Sequence, residues 1–276
     1  MMKIGIIGTG SIGTVLAEAM LTSAVIEREN LFLFNRTIEK AAQLKKNFPG
    51  TTVCTSVKDV LKNAQLIFVC LRQTDLKPVL ESIAPFLTSE HCVLSTASAV
   101  SIKQMESVLP CPCGKVIPSV TNTALAGGIL YSFGQRCGQD WQRDIKNVLE
   151  SISGVALEID DRTVRAASDL TGCGPAFFSK MAVMYAEEAA AYGLSKNQAE
   201  ELAFHMMIGL GELLKQKKWS LEMLTERTAA KGGVTARGLT VIDAEAGELF
   251  SSLCSMTQKK AAEDRKEASA LFGINN

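Results

Sequence analysis

Two glycine-bearing stretches of this chain hold residue types that chemistry can use. The first is Gly8-Thr9-Gly10-Ser11-Ile12-Gly13, a GxGxxG that follows the apolar run K-I-G-I-I and opens a helical pattern. At that spacing the first glycine permits a tight turn and the second lets a pyrophosphate approach the backbone. The third lets helix and strand pack closely, while the helix N-terminus offers free N–H groups to phosphate. The second stretch is Lys231-Gly232-Gly233-Val234-Thr235, a cation, two adjacent glycines and a hydroxyl ahead of a long helical pattern. Each of those glycines costs a helix roughly 1 kcal/mol relative to alanine. On residue types alone, a plain helix-to-helix turn with a threonine in its first turn is the favoured reading of this second stretch.

The dinucleotide is selected at the end of the second strand, where an NAD binder carries an acid for the ribose hydroxyls. This chain has Asn35-Arg36-Thr37 there, with Lys40 one turn into the next helix. A carboxylate would repel a 2′-phosphate, whereas Arg36, the Thr37 hydroxyl and Lys40 can bind it, so NADP is expected over NAD. Thr37 can equally serve as a helix cap.

These residues need elements to hold them. With 276 residues and about 150 per domain, two domains are expected. From Lys3 to about Glu158, short apolar runs alternate with helical stretches: K-I-G-I-I, Leu31–Phe34, T-V-C-T, Leu66–Leu71, C-V-L-S-T, Lys115–Pro118, I-L-Y-S-F-G and V-A-L-E-I. Near-continuous apolar strands between helices indicate a parallel sheet covered on both faces. After Ile159-Asp160-Asp161 the strand signals stop, and Pro175–Tyr192, Lys196–Lys218, Leu221–Ala229 and Val234–Phe272 read as helices. Ser195 with Gln198 forms a capping box, and Gly193 suits a helix C-terminus. The fold class is α/β: a Rossmann-type doubly wound domain over residues 1–159, then an all-helical domain over 160–276. The helix from Pro175 is apolar or small on most faces, so it is expected to be buried nearly all round, against other helices or another subunit.

Composition narrows the function classes. Apolar residues make up 47% and charged residues 21%, ordinary for a globular chain with a core. Lys+Arg and Asp+Glu are both 29, which argues against a nucleic-acid partner. No apolar run reaches the ~18 residues of a membrane span, and no signal-peptide pattern opens the chain. The eight cysteines are scattered apart from Cys111-Pro112-Cys113, and there are only two histidines, so no metal site is expected. The cysteines read as small buried hydrophobes of a cytoplasmic protein, with the Cys111–Cys113 pair as an alternative redox switch.

The combination of the Gly8–Gly13 loop, Asn35-Arg36-Thr37, T-G-C-G-P-A-F at Thr171–Phe177 and K-G-G-V-T at Lys231–Thr235 resembles pyrroline-5-carboxylate reductase along essentially the whole chain. That family reads Ser-Gly-Ser-Gly-Pro-Ala-Tyr and Ser-Pro-Gly-Gly-x-Thr at the two later motifs. The chain looks closer still to the late-competence, ComER-type branch, in which Lys-Gly-Gly replaces Pro-Gly-Gly and an Ile-Pro-Ser-x-Thr-Asn stretch matches Ile117–Asn122.

The resemblance implies NADPH-dependent reduction of a cyclic imine, 1-pyrroline-5-carboxylate, to L-proline. It implies a homodimer built by the helical domain, often assembled further into rings. It places Leu71, Arg72 and Ser119 against the cofactor. The N–H groups near Gly232, Gly233 and Val234 would take the carboxylate of the imino acid, with Lys231 beside them, and Thr235 would hydrogen-bond the imine nitrogen. The chain departs from the family pattern at Leu71-Arg72-Gln73, Ser119-Val120, Ala230 and Lys231. Two alternatives therefore stand beside proline synthesis: a reductase of a different imine or oxo acid, and a non-catalytic NADP-binding regulator. A β-hydroxyacid dehydrogenase would need a catalytic lysine near Lys180, whose flanking residues do not match.

Overall fold

A computed structural model describes residues 2–216 and 219–274. The chain forms two compact units: Met1–Gly172 together with Thr257–Asn276, and Cys173–Met256.

In the first unit the chain runs β1 (Ile4–Ile7), α1 (Ser11–Thr22), β2 (Leu31–Phe34), α2 (Ile38–Asn47), β3 (Thr52–Val53), α3 (Val57–Asn63), β4 (Leu66–Val69), α4 (Gln73–Ile83), β5 (Cys92–Ser95), α5 (Ile102–Glu106), β6 (Cys113–Ile117), β7 (Gly128–Phe133), α6 (Gln139–Ser151), β8 (Val155–Glu158) and α7 (Val164–Ser168). All eight strands join one sheet in the order β3-β2-β1-β4-β5-β6-β7-β8. Its first six positions repeat the 3-2-1-4-5-6 order of a dinucleotide-binding sheet. Ile4 pairs with Leu31 on one side and Leu66 on the other, so the carboxyl ends of β1, β2 and β4 finish level.

The expectation of a wholly parallel sheet needs correction at one strand. β7 runs antiparallel to β6, with Ile117 opposite Leu130. Only a short turn of 3₁₀-helix at Val120–Ala124 separates them, and a parallel return needs a crossover of roughly a dozen residues or more. α6 supplies such a crossover to β8, which is parallel to β7.

Burial follows the two-faced plan. Leu16 and Met20 of α1 and Ile145 and Leu149 of α6 pack on one face of the sheet. Val60, Leu76, Leu80 and Met105 pack on the other, joined there by Ala268 and Phe272. These last two come from the end of α11 (Val234–Phe272), the final helix of the chain. Polar contacts fix that end: Gln73 Nε2 donates to Asp264 Oδ1 at 3.1 Å, Lys77 Nζ to the Leu271 carbonyl at 2.9 Å, and Gln104 Nε2 to the Ile274 carbonyl at 2.9 Å.

The second unit contains α8 (Gly174–Ala191), α9 (Lys196–Lys215), α10 (Leu221–Thr228) and the first part of α11. Pro175 sits in the first turn of α8, where its missing N–H costs nothing. α9 opens on the expected Ser195–Gln198 capping box, after Gly193 at φ +108°. Its expected end at Lys218 lies outside the described residues. Among described residues, α8 buries only Gly174 and Ala186, α9 only Ala199, and α10 none. Tyr185, Leu202 and Phe204 are all more than half exposed. The apolar faces of α8 are thus open in the single chain, against the expectation of a helix buried nearly all round. No helix of the described residues is long and apolar enough to cross a membrane.

Candidate functional site

The glycine loop lies between the end of β1 and the start of α1, and each glycine has a distinct steric reason. Gly8 has φ +99°, a left-handed conformation, and a Cβ there would meet the Cys70 carbonyl at 2.5 Å. A Cβ on Gly13 would lie 1.9 Å from the Gly8 carbonyl oxygen, so helix and loop close only on glycine. At Gly10 a Cβ would meet nothing within 4 Å. The space beside Gly10 is therefore open, as the approach of a phosphate requires. No acidic residue stands in the first turn of α1, and Gly10 caps it without a side chain. The N–H groups and positive end of that helix are left for an anion. Thr9 is buried, and its hydroxyl has no hydrogen-bond partner among the described residues.

Asn35 braces this loop. Its Oδ1 accepts from the Thr9 N–H at 3.0 Å and its Nδ2 donates to the Thr37 carbonyl at 2.9 Å, tying the glycine loop to the turn between β2 and α2. The Thr37 side chain makes no cap hydrogen bond at the head of α2, so the capping role is not the one it takes here. Arg36, Thr37 and Lys40 are exposed, and neither cation has a carboxylate within 4 Å among the described residues.

A cleft of about 360 Å³ joins these groups: Gly8, Asn35, Arg36, Thr37, Lys40 and Leu71 all line it. Sequence reasoning missed its remaining walls, Ile7, Phe34, Val57, Pro78, Val79 and Asp75. The last three lie on one face of α4, a spacing of three and four residues that marks them once the helix is placed. Arg72 is the N-cap residue of α4 and exposed. Ser119 is deeply buried, and its hydroxyl accepts from the N–H and Oγ1 of Thr121 at 3.3 and 2.9 Å. Asn122 Oδ1 accepts from the Ser119 N–H at 2.7 Å, which completes a capping box for a 3₁₀ turn packed on α1.

The Lys231–Thr235 stretch belongs to the second unit. Gly232 has φ +75°, and the Gly233 N–H closes the turn on the Ala230 carbonyl at 2.8 Å. α11 begins at Val234, so the first N–H groups of that helix have no intrahelical acceptor. Lys231 and Thr235 are exposed. The structure thus gathers the glycine loop, Asn35, Arg36, Thr37 and Leu71 in one unit and carries the glycine pair, Lys231 and Thr235 in the other.

The cysteines form no disulfide. Burial pushes the thiol of Cys111 up to about 11 and that of Cys113 up to about 12. Neither is a thiolate near neutral pH, as a redox switch would need. No group of three or more His, Cys, Asp or Glu among the described residues could hold a metal ion.

Comparison with known proteins bears on this arrangement. Residues 161–267 match the family model for pyrroline-5-carboxylate reductase dimerisation, and residues 3–99 match that for NADP oxidoreductase, coenzyme F420-dependent. ComE operon protein 4 of Bacillus subtilis is 35% identical over 274 residues, covering 99% of this chain and 100% of that protein. The chain belongs to the pyrroline-5-carboxylate reductase family. Pyrroline-5-carboxylate reductase 3 of Bacillus subtilis is 27% identical, with 94% and 96% of the two chains covered. Among solved structures, the Coxiella burnetii pyrroline-5-carboxylate reductase shares the fold with a TM-score of 0.85 at 19% identity, over 95% of this chain and 98% of that one. The Plasmodium falciparum pyrroline carboxylate reductase, solved with NADP bound, gives 0.79 at 21% identity, over 97% and 98%. As a member of the pyrroline-5-carboxylate reductase family, the chain is an NAD(P)-dependent oxidoreductase with NADP as its cofactor. The open space at Gly10, the unopposed start of α1 and the unpaired Arg36 and Lys40 fit that cofactor.

Proposed function

We propose that this protein is an NADPH-dependent reductase of a cyclic imine, with 1-pyrroline-5-carboxylate to L-proline as the reaction. The observation that carries this reading is one chain that holds both a phosphate-complementary cleft and, within a pyrroline-5-carboxylate reductase dimerisation segment, a glycine turn leading to Thr235.

NADPH, when bound, supplies the hydride. Gly8, Thr9, Gly10, Ser11, Ile12 and Gly13 present backbone and helix start to its pyrophosphate. Arg36 and Thr37, with Lys40, hold the 2′-phosphate, while Asn35 keeps loop and turn in register. Leu71 contributes an apolar wall and Arg72 a charge at the mouth of the sheet. In the second unit the N–H groups at the start of α11, on the Gly232-Gly233-Val234 turn, receive the substrate carboxylate, and Lys231 adds a cation. Thr235, on the first turn, hydrogen-bonds the ring nitrogen and orients the carbon that accepts hydride. Binding and orientation suffice for this chemistry, and no general base is required of the protein.

The working unit is a homodimer held by the helices of Cys173–Met256, with ring assembly as a further step. The open apolar faces of α8 and α9 and the dimerisation match support it. Reduced cysteines suit a cytoplasmic site of action.

A specific observation favours a second reading. Ser119, which stands where the family carries the asparagine of its Asn-Thr pair, spends its hydroxyl inside a buried turn. A chain that binds NADP without turnover, as a regulator, or one that reduces another imine or oxo acid, would show that loss. The deciding experiment follows NADPH oxidation with 1-pyrroline-5-carboxylate beside a panel of cyclic imines and oxo acids. Saturable oxidation with 1-pyrroline-5-carboxylate is expected. NADPH binding with no turnover on any of them would leave the regulator.

A further inference from the structure

A second cavity, of about 380 Å³, opens in the first unit on the sheet face that carries α5 and α7. It shares no lining residue with the cleft beside the glycine loop. Its charged and hydroxyl-bearing walls include Ser98, Lys103, Lys115, Asp161, Arg162 and Arg265. The key group is Lys115 on β6, whose side chain is only 3% exposed and whose ammonium pairs with Asp161. An ammonium brings three N–H donors, and Asp161 is its one recorded acceptor among the described residues. A buried ammonium with unspent donors is costly unless something else receives them.

The charge census points the same way. Asp161 is consumed by Lys115, and Arg162 is consumed by Asp160 at 2.9 Å. Neither Lys103 nor Arg265 has a carboxylate within 4 Å among the described residues. After internal pairing the cavity keeps two uncompensated cations and the spare donors of Lys115. The guanidinium of Arg265 offers a planar fork suited to a carboxylate or phosphate. At this volume the cavity lies near the lower end of small-ligand sites and has room for a small acid.

We propose that this pocket binds a small oxyanion, a carboxylate or phosphate group, at a site separate from the dinucleotide and the imine. Lys103 belongs to α5, Lys115 to β6 and Arg265 to the returning end of α11, so an anion held by all three fastens the end of that helix to the sheet. The inference is independent of the catalytic reading above.

Titration calorimetry of the full chain, with inorganic phosphate and succinate as separate probes at low ionic strength, tests it. Saturable binding of at least one probe is expected. Lys103→Gln and Arg265→Gln should each weaken it by about five- to tenfold, the loss of one partly screened charged contact. Both variants should keep the parent's thermal transition without added anion, because neither residue takes part in a recorded ion pair. Arg36→Ala, in the other cleft, should leave binding of the probe intact. Phosphate alone binding would mark a phosphate ligand, and succinate alone a carboxylate. Failure of both probes to saturate would overturn the proposal. So would binding unchanged in the Lys103→Gln/Arg265→Gln double variant, or binding lost in Arg36→Ala.

Discussion

The two units of this chain solve the same problem in opposite ways. In the first, Ile4, Ile6, Leu33, Leu66, Phe68 and Leu94 are sealed from solvent by helices of the same chain. In the second, the helices bury a glycine and two alanines while Tyr185, Leu202, Phe204 and Ile242 face outward. So many exposed large apolar side chains mark an interaction surface. A Rossmann sheet covered on both faces closes its own core, whereas a few long helices with no sheet between them leave theirs open; the proposed second copy would complete it. On the proposed reading, the cofactor site forms within a single chain and the substrate site lies in the unit whose apolar helices are left open.

The strongest way to break that contrast is to charge the exposed apolar side chains of α9. Leu202→Asp combined with Phe204→Asp is expected to weaken dimerisation by roughly a thousandfold or more, two hot-spot losses of about 2 kcal/mol each. Light scattering should show the parent as a dimer and the variant as a monomer that still binds NADPH. A parent that scatters as a monomer at micromolar concentration would end the argument.

The next test sits on the second unit's chemistry. Thr235→Ala should lower kcat/KM by roughly 10- to 1,000-fold, the range for one positioned hydrogen bond to a reacting atom. Cofactor affinity should not move, and Thr235→Ser should retain much of the rate. Unchanged turnover in Thr235→Ala would remove that residue from the site.

Within the first unit, two glycines separate packing from binding. Gly13→Ala forces a carbon against the Gly8 carbonyl at 1.9 Å. It should cost about 1–3 kcal/mol of stability and impair NADPH binding with it. Gly10→Ala meets nothing, so its thermal transition should stay within error of the parent while NADPH affinity falls. Equal melting losses in the two variants would contradict the assignment of the open space to the cofactor. A further change concerns cofactor choice: Arg36→Ala should erase most of the preference for NADPH over NADH, a loss of about 1.5–3 kcal/mol that shrinks as salt rises. Comparative titration of the two cofactors measures it, and a parent that binds both equally would refute it.

Most of the sheet was legible because each strand is a short, nearly continuous apolar run bounded by polar or turn residues, such as Leu66–Val69 and Cys92–Ser95. Direction was not legible at β7, since alternation within a strand says nothing about which way it runs. Only the length of the link from Ile117 to Gly128 carries that information. The glycine loop and Arg36-Thr37 could be read because their chemistry is local. The brace made by Asn35 could not, because it depends on bringing residue 9 beside residue 35. Ser119 stands where the resemblance expects a cofactor contact, but its hydroxyl points into a buried cap, and burial is a property of the fold around it. The last turns of α11 read as one continuous helix with the rest, and nothing in their own periodicity tells which unit they cover.

That return of the last helix sets an order on how the molecule is made. A nascent chain ordinarily finishes its N-terminal domain first. Here Ala268 and Phe272, which close one face of the first sheet, leave the ribosome after every helix of the second unit. The nucleotide-binding sheet waits with α4 and α5 partly uncovered until those residues emerge. The second unit's greasy helices are already outside by then, free to meet those of a neighbouring chain. A chain cut after Met256 loses the cover of the unit it entered first.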